Sequence, residues 1–166
     1  PVQKTLFIIG EIAKKLGVNG LVGGQVLDIK PVPEAQTLEA LKLLHHQKTG
    51  TLIELTLTTP AYLNNADQTI IKFIKEFAHH LGLLFQIIDD ILDIEGSEEK
   101  LGKSSGKDVL LNKFTYPSLL GLEQAKQLAE NEYHHALSLL NTLSELLAAD
   151  ITPLKSIVNF IKHREH

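Results

Sequence analysis

Three aspartates on one predicted helix are the residues of this sequence best placed to do chemistry. They lie in the segment FQIIDDILDIEG, residues 85–96. At about 100° per residue, a helix would place Gln86, Asp89, Asp90 and Asp93 on one polar stripe and fill the rest of its circumference with apolar side chains. Asp89 and Asp93 repel each other at a spacing of four residues, and no lysine or arginine stands one turn before them.

A cation is therefore expected at this stripe, although a solvated acidic edge is the competing interpretation. Magnesium typically takes one or two protein carboxylates and leaves its other positions to water and substrate phosphates. Four lysines follow the stripe, namely Lys100, Lys103, Lys107 and Lys113. Together these features favour a magnesium site that bridges the protein to a phosphorylated ligand. An EF-hand is excluded, because aliphatic residues stand where that loop needs oxygen ligands.

Other basic and imidazole groups are given simpler interpretations. The histidine pairs are His45/His46, His79/His80 and His134/His135. Adjacent residues of a helix point about 100° apart, so a pair is a poor joint ligand set, and we expect structural or surface roles. Among these histidines, His79 is the best candidate for a role at the site, because it falls on the face of the stripe. The closing basic residues are Lys162, His163 and Arg164, which we expect to be solvated rather than folded over a diphosphate site.

Helical periodicity runs through nearly every segment, and no segment shows the strict alternation of a strand. The prediction is an all-α helical bundle forming a single domain over residues 1–166. Helices are predicted over 2–16, 20–29, 38–57, 68–94, 117–149 and from Thr152 onward. Breaks are predicted at Pro60 with the NNAD run, over the polar residues 95–108, and as a candidate near Asn141. Gly50 inside the third helix suggests a close backbone approach.

Composition narrows the classes of protein that this chain can belong to. The 166 residues are 43% hydrophobic and 22% charged, with a net charge of -4, which fits a folded domain and argues against a nucleic-acid binder. No cysteine is present, so disulfide scaffolds and thiolate sites are excluded. No apolar run is long enough to span a bilayer, and we expect a cytoplasmic protein. The absence of methionine and the start at Pro1 within a helical pattern suggest a fragment.

Five segments of the sequence resemble motifs of a known family, and they occur in the same order and at similar spacing. They are GGQVLD, HHQKTGTLI, LGLLFQIIDDILDIEG, LGKSSGKD and NKFTYPSLLGLEQAK. The sequence resembles the carboxyl-terminal half of trans-isoprenyl diphosphate synthases, most nearly those of the bacterial farnesyl diphosphate synthase (geranyltranstransferase) type. The resemblance implies the carboxyl-terminal part of the isoprenoid synthase fold.

The resemblance also implies a role for each matching position. The implied magnesium ligands are Asp89, Asp90 and Asp93, which would form the second aspartate-rich motif of the family. The implied catalytic positions are Lys48, Thr49, Gln86 and Lys103. The implied substrate-binding positions are Gln25, Asp28 and Lys113.

The implied reaction is a magnesium-dependent prenyl transfer from an allylic diphosphate to isopentenyl diphosphate in a homodimeric enzyme. The family also has a first aspartate-rich motif and a basic pair for isopentenyl diphosphate, and neither occurs in this sequence. We therefore expect an amino-terminal half to be missing and this chain alone to be inactive. A longer-chain polyprenyl synthase and a non-catalytic helical regulatory subunit remain as alternatives.

Overall fold

The structure is a computed structural model that describes residues 2–29, 36–101 and 113–164, with the backbone alone over 97–101. The predicted all-α class is confirmed, and no strand occurs among these residues. The helices are α1 (Val2–Leu16), α2 (Leu21–Ile29), α3 (Leu38–His45), α4 (Thr51–Leu63), α5 (Gln68–Leu101), α6 (Tyr116–Leu120), α7 (Leu122–Leu147) and α8 (Thr152–His163). None of these helices combines the length and apolar character needed to cross a bilayer.

The predicted helix over 38–57 is three consecutive pieces rather than one α-helix. Thr37 caps α3 by accepting a hydrogen bond from the Ala40 N–H, as its position predicts. A π-helical segment, His46–Gly50, then joins α3 to α4. Short π-helical segments of this kind occur mostly as insertions in α-helices and are frequent at functional sites.

The break predicted at Pro60 was wrong, because α4 continues to Leu63 with Pro60 inside it. A proline this close to a helix end removes only one backbone donor. Hydroxyl groups of the preceding threonines also bond within the helix, since Thr58 donates to the Glu54 carbonyl and Thr59 to the Leu55 carbonyl. The helix therefore ends at Leu63, six residues after the predicted end at residue 57, and the NNAD part of the predicted break is confirmed.

Two other boundaries differ from prediction. Helix α5 reaches Leu101 rather than residue 94, so part of the expected loop over 95–108 is helical. Good helix formers after Gly96 outweigh the polar composition that suggested a loop. The chain breaks at Gly121, not near Asn141, because Gly121 has a φ of 83°, which glycine adopts without steric cost.

Helices α5 and α7 form the centre of the core. Their contact surface includes fully buried alanines on α7, which let the helix axes approach closely. Those alanines are Ala125, Ala129 and Ala136. Phe77, Leu84 and Ile87 of α5 are buried against them and their neighbours. This packing fixes the rotation of α5 and therefore the direction of its polar stripe.

Glycines place two further elements against the π-helical segment. A Cβ added at Gly24 of α2 would lie 2.3 Å from the backbone nitrogen of Lys48. A Cβ added at Gly82 of α5 would lie 3.1 Å from the Gly50 Cα. The close approach expected at Gly50 is therefore present. Both glycines hold the π-helical segment between α2 and α5.

Candidate functional site

The acidic stripe opens onto a cavity of about 510 Å³ between α2, the π-helical segment, α5 and the residues before α6. Its polar lining comprises Asp28, His45, Lys48, Gln86, Asp89, Asp90, Asp93, Lys113 and Thr115. The structure therefore brings all three aspartates to one cavity with two lysines. Residues far apart in the sequence supply these charges, so helix packing assembles the site.

Asp90 is the deepest of the three aspartates, with 6% of its surface exposed. Its Oδ1 accepts a hydrogen bond from the Gln86 amide at 3.1 Å, and its Oδ2 accepts one from the Tyr116 backbone N–H at 3.1 Å. That N–H belongs to the first turn of α6, whose donors have no partner within the helix. Burial raises the pKa of Asp90 to about 6 despite these bonds, and the adjacent charges of Asp89 and Asp93 add to the rise.

Asp89 is half exposed and pairs with a residue near the carboxyl-terminal end of the sequence. The Arg164 guanidinium donates a hydrogen bond to its Oδ1 at 3.0 Å and another to the Phe85 carbonyl at 3.1 Å. Arg164 also lies 4.3 Å above the Phe85 ring centre. Only 17% of the Arg164 side chain is exposed, so the expectation of a solvated terminus was wrong for this residue.

Asp93 and the two cavity lysines complete the charged lining. Lys113 lies 3.4 Å from the Asp93 Oδ2, and both side chains are 57% exposed. Lys48 donates to the Asp28 Oδ2 at 2.7 Å. Exposed ion pairs of this kind contribute about 0–1 kcal/mol to stability, so an incoming anion or cation can displace them at little cost.

The remaining predicted site residues lie in different surroundings. Thr49 is outside the cavity lining, and its hydroxyl lies 3.4 Å from the Gln86 amide oxygen. Gln25 is exposed on α2 and is not among the described residues that line the cavity. Lys103 lies outside the described residues.

Sequence reasoning missed His45 as part of this site. Its ring is buried, lines the cavity and packs 5.3 Å from the Tyr116 ring centre. Burial and then the nearby Lys48 charge lower the pKa of His45 to about 4, with Asp28 opposing them. The signal that could have found it is its place three residues before Lys48, which puts both on one helical face.

The donor set fits a hard divalent cation shared with an oxygen-rich ligand. Carboxylate oxygens are the ligands that magnesium prefers. The three aspartates do not form a compact three-ligand group, because among the described residues only a different trio, treated below, has donors within 4.8 Å of one another. The cavity therefore suits a magnesium ion that takes one or two carboxylates and completes its shell with water and phosphate.

A second cavity, of about 460 Å³, also contacts Arg164, and three glutamates and three basic residues line it. Glu95 pairs with Lys126 at 2.8 Å, and Glu130 pairs with Lys162 at 2.8 Å. Lys162 is only 18% exposed, so the prediction of a solvated terminus was wrong there too. This cavity contains none of the three aspartates of the stripe, so it is the weaker candidate for a magnesium ion with an anionic ligand.

The chain is similar in sequence to known proteins over nearly its whole length. The family model for polyprenyl synthetase matches residues 11–148. Farnesyl diphosphate synthase of Bacillus subtilis (strain 168) is 40% identical over 164 residues, which are 99% of this chain and 54% of that protein. A chloroplastic geranylgeranyl pyrophosphate synthase of Capsicum annuum is 40% identical over 159 residues, which are 95% of this chain and 42% of that protein.

A solved structure shares the fold. The apo crystal structure of an FPP/GFPP synthase from Zymomonas mobilis superposes with a TM-score of 0.77 at 31% identity, covering 96% of this chain and 51% of that chain. The chain thus spans about half the length of the proteins that it matches.

Proposed function

We propose a prenyl-transfer function for this chain, which belongs to the polyprenyl synthetase family. The observation that carries the proposal is the cavity in which Asp89, Asp90 and Asp93 face Lys48 and Lys113. An allylic diphosphate would bind there and condense with isopentenyl diphosphate. The product would be a short-chain, farnesyl-type diphosphate.

Asp89, Asp90 and Asp93 would hold the magnesium, with half-exposed Asp89 and Asp93 as the more accessible ligands and Asp90 anchored by α6. Magnesium, when bound, supplies Lewis-acid stabilisation of the departing diphosphate. Gln86 would orient the stripe through its bond to Asp90.

Lys48 and Lys113 would bind the diphosphate and stabilise the negative charge that develops on it. The allylic C–O bond breaks with its electron pair leaving on the diphosphate, and the double bond of isopentenyl diphosphate forms the new C–C bond. A proton is then lost from the condensed product. Lys103 and Gln25 remain proposed ligands of the substrate, from the family resemblance alone.

A longer product is the second candidate. The relatives named farnesyl and geranylgeranyl synthase are equally identical to this chain, at 40% each. The half of the family fold described here therefore does not distinguish the two chain lengths. A homodimeric assembly and a cytoplasmic location stay predictions.

The test is a condensation assay on the full-length protein. Labelled isopentenyl diphosphate and geranyl diphosphate are incubated with magnesium or with a chelator, and products are separated by chain length. We expect turnover only with magnesium and a product with one added isoprene unit. Longer products would favour the second candidate. Binding of diphosphate without turnover would contradict catalysis and favour a regulatory subunit.

A further inference from the structure

A second group of potential ligands lies between α5 and α7. It consists of His80 on α5 with Glu132 and His135 on α7, and we name it the histidine cluster. One donor atom from each residue lies within 4.8 Å of the other two. None of the three lines the acidic cavity. Ten residues of α5 separate His80 from Asp90, which corresponds to about 15 Å along the helix.

Glu132 is unusual for the face of α7 on which it lies. It is 7% exposed, and the residues buried with it on this helix are otherwise alanines and leucines. Its Oε2 lies 2.5 Å from the His80 Nδ1. A donor atom of His135 lies within 4.8 Å of the same carboxylate. A carboxylate is thus held between two imidazoles.

The spacing on α7 separates His135 from its neighbour. Glu132 and His135 are three residues apart and share a helical face, which is the Glu-x-x-His arrangement that holds metals in other helical bundles. His134 points elsewhere and pairs with Glu130 at 3.1 Å. The His80 and His135 rings are 4.9 Å apart. Facing helices therefore supply two nitrogens and one oxygen to the same point.

We propose that the histidine cluster binds a zinc-type divalent cation that ties α5 to α7. Zinc takes imidazole nitrogen at about 2.0–2.1 Å and carboxylate oxygen at about 2.0–2.2 Å, whereas magnesium prefers oxygen alone. Tetrahedral ligands at those lengths stand about 3.4 Å apart, so closure on the ion requires shifts of about 1 Å. His135 is exposed, which leaves the fourth position to water.

Imidazoles around the histidine cluster suit this assignment. The His79 ring lies 5.4 Å from that of His80, and the His46 ring lies 5.8 Å from that of His79. These two rings extend the group of imidazoles from α5 to the π-helical segment. The proposal is independent of the prenyl-transfer function, since it uses no residue of the acidic cavity.

The test is metal binding by the untagged full-length protein in excess magnesium, which occupies the aspartates. Zinc is titrated calorimetrically, and cobalt serves as a spectroscopic probe of nitrogen ligation. We expect one zinc per chain and a rise in Tm on binding. His135→Ala should weaken zinc by at least about tenfold, as loss of a supporting residue already costs about 10–100-fold. His134→Ala should bind as the wild type does.

Glu132→Gln is the second variant, because its amide keeps a polar partner for His80 and protects the fold. It should lose zinc to a similar extent as His135→Ala while still giving a cooperative melt. Absence of zinc binding in the wild type would overturn the proposal. Equal zinc affinity in the wild type and His135→Ala, or loss of zinc only in Asp89→Ala, would overturn it as well.

Discussion

Helix α5 contributes to two polar regions whose carboxylates are balanced in different ways. In the histidine cluster, the buried Glu132 is paired with His80 on the facing helix. In the acidic stripe, Asp89 and Asp93 are more than half exposed and pair with Arg164 and Lys113. The first region joins two packed helices, and the second lines an open cavity.

The difference indicates which region can exchange its partners. Arginine and lysine side chains are long, and exposed pairs hold them by about 0–1 kcal/mol, so a metal and a diphosphate can displace them. Glu132 cannot lose its partner so easily, because a buried carboxylate left unpaired costs several kcal/mol. We therefore propose that turnover occurs at the acidic stripe and that the histidine cluster stabilises the packing of α5 against α7.

The largest expected effect comes from Asp89→Ala in the full-length protein. Turnover should fall by about a hundredfold or more, because the lost ligand supports charge that forms in the transition state. Folding should survive, since Asp89 is half exposed, its removal relieves repulsion from Asp93, and Arg164 keeps its hydrogen bond to the Phe85 carbonyl. Steady-state kinetics and thermal melting measure the two effects.

His134→Ala is the control for that experiment and should leave turnover unchanged. If Asp89→Ala unfolded the protein while the folded fraction kept its specific activity, the acidic stripe would be structural. The contrast between the two regions of α5 would then fail.

His45 should make the stability of the fold depend on pH under acidic conditions. Its folded pKa of about 4 lies below the ordinary 6.5, so the fold favours the neutral ring. The stability that this preference contributes is present above pH 6.5 and is lost as pH falls toward 4, by about 3 kcal/mol in all. Denaturant unfolding of the wild type and of His45→Phe at pH 7.5 and 4.5 measures this loss. The free energy of unfolding should fall less between the two pH values in the variant than in the wild type.

Asp90 acts in the opposite direction and must be separated from His45. Its raised pKa, about 6, means that its contribution is lost as pH rises through that value. The wild type and His45→Phe both contain Asp90. The difference between their pH dependences of stability therefore reports on the His45 imidazole alone. His134→Phe is the matched control, and an equal improvement there would contradict the assignment.

Gly24→Ala tests whether α2 must touch the π-helical segment. The added Cβ would meet the Lys48 backbone at 2.3 Å, so α2 must shift, and the free energy of unfolding should fall by about 1–3 kcal/mol. The shift should also separate Asp28 from Lys48 and raise KM for the allylic diphosphate. Gly10→Ala is the control, since nothing lies within 4 Å of its added Cβ and the change should stabilise α1 by about 0.5–1 kcal/mol.

The smallest expected effect is on magnesium affinity in Arg164→Gln. Removing the guanidinium frees Asp89 from an ion pair worth about 0.2–1 kcal/mol, so magnesium should bind roughly one- to fivefold more tightly. Calorimetric titration of magnesium measures the change. Lys162→Gln, which removes a cation paired with Glu130, should leave the affinity unchanged. Weaker binding in Arg164→Gln would show that Arg164 supports the site rather than competing for it.

Much of the fold could be predicted because its signals are local. Apolar spacing, the Thr37 cap and the glycine stop after α1 act within one or two helical turns, and the corresponding helices are present. The boundaries at Pro60 and Ile94 were wrong because a helix already formed continues through weak breakers when neighbouring bonds support it. A π-helical segment has no comparable sequence signal.

The sequence by itself determined that Asp89, Asp90 and Asp93 share one face of a helix, because helical geometry sets that spacing. Only the tertiary structure decided their partners. Arg164 lies 75 residues from Asp89, and the Tyr116 N–H lies 26 residues from Asp90. Such contacts depend on how α5, α6 and α8 pack, which local propensity does not specify. The same packing turned Glu132 and His135 toward His80, where the sequence showed only separate histidine pairs.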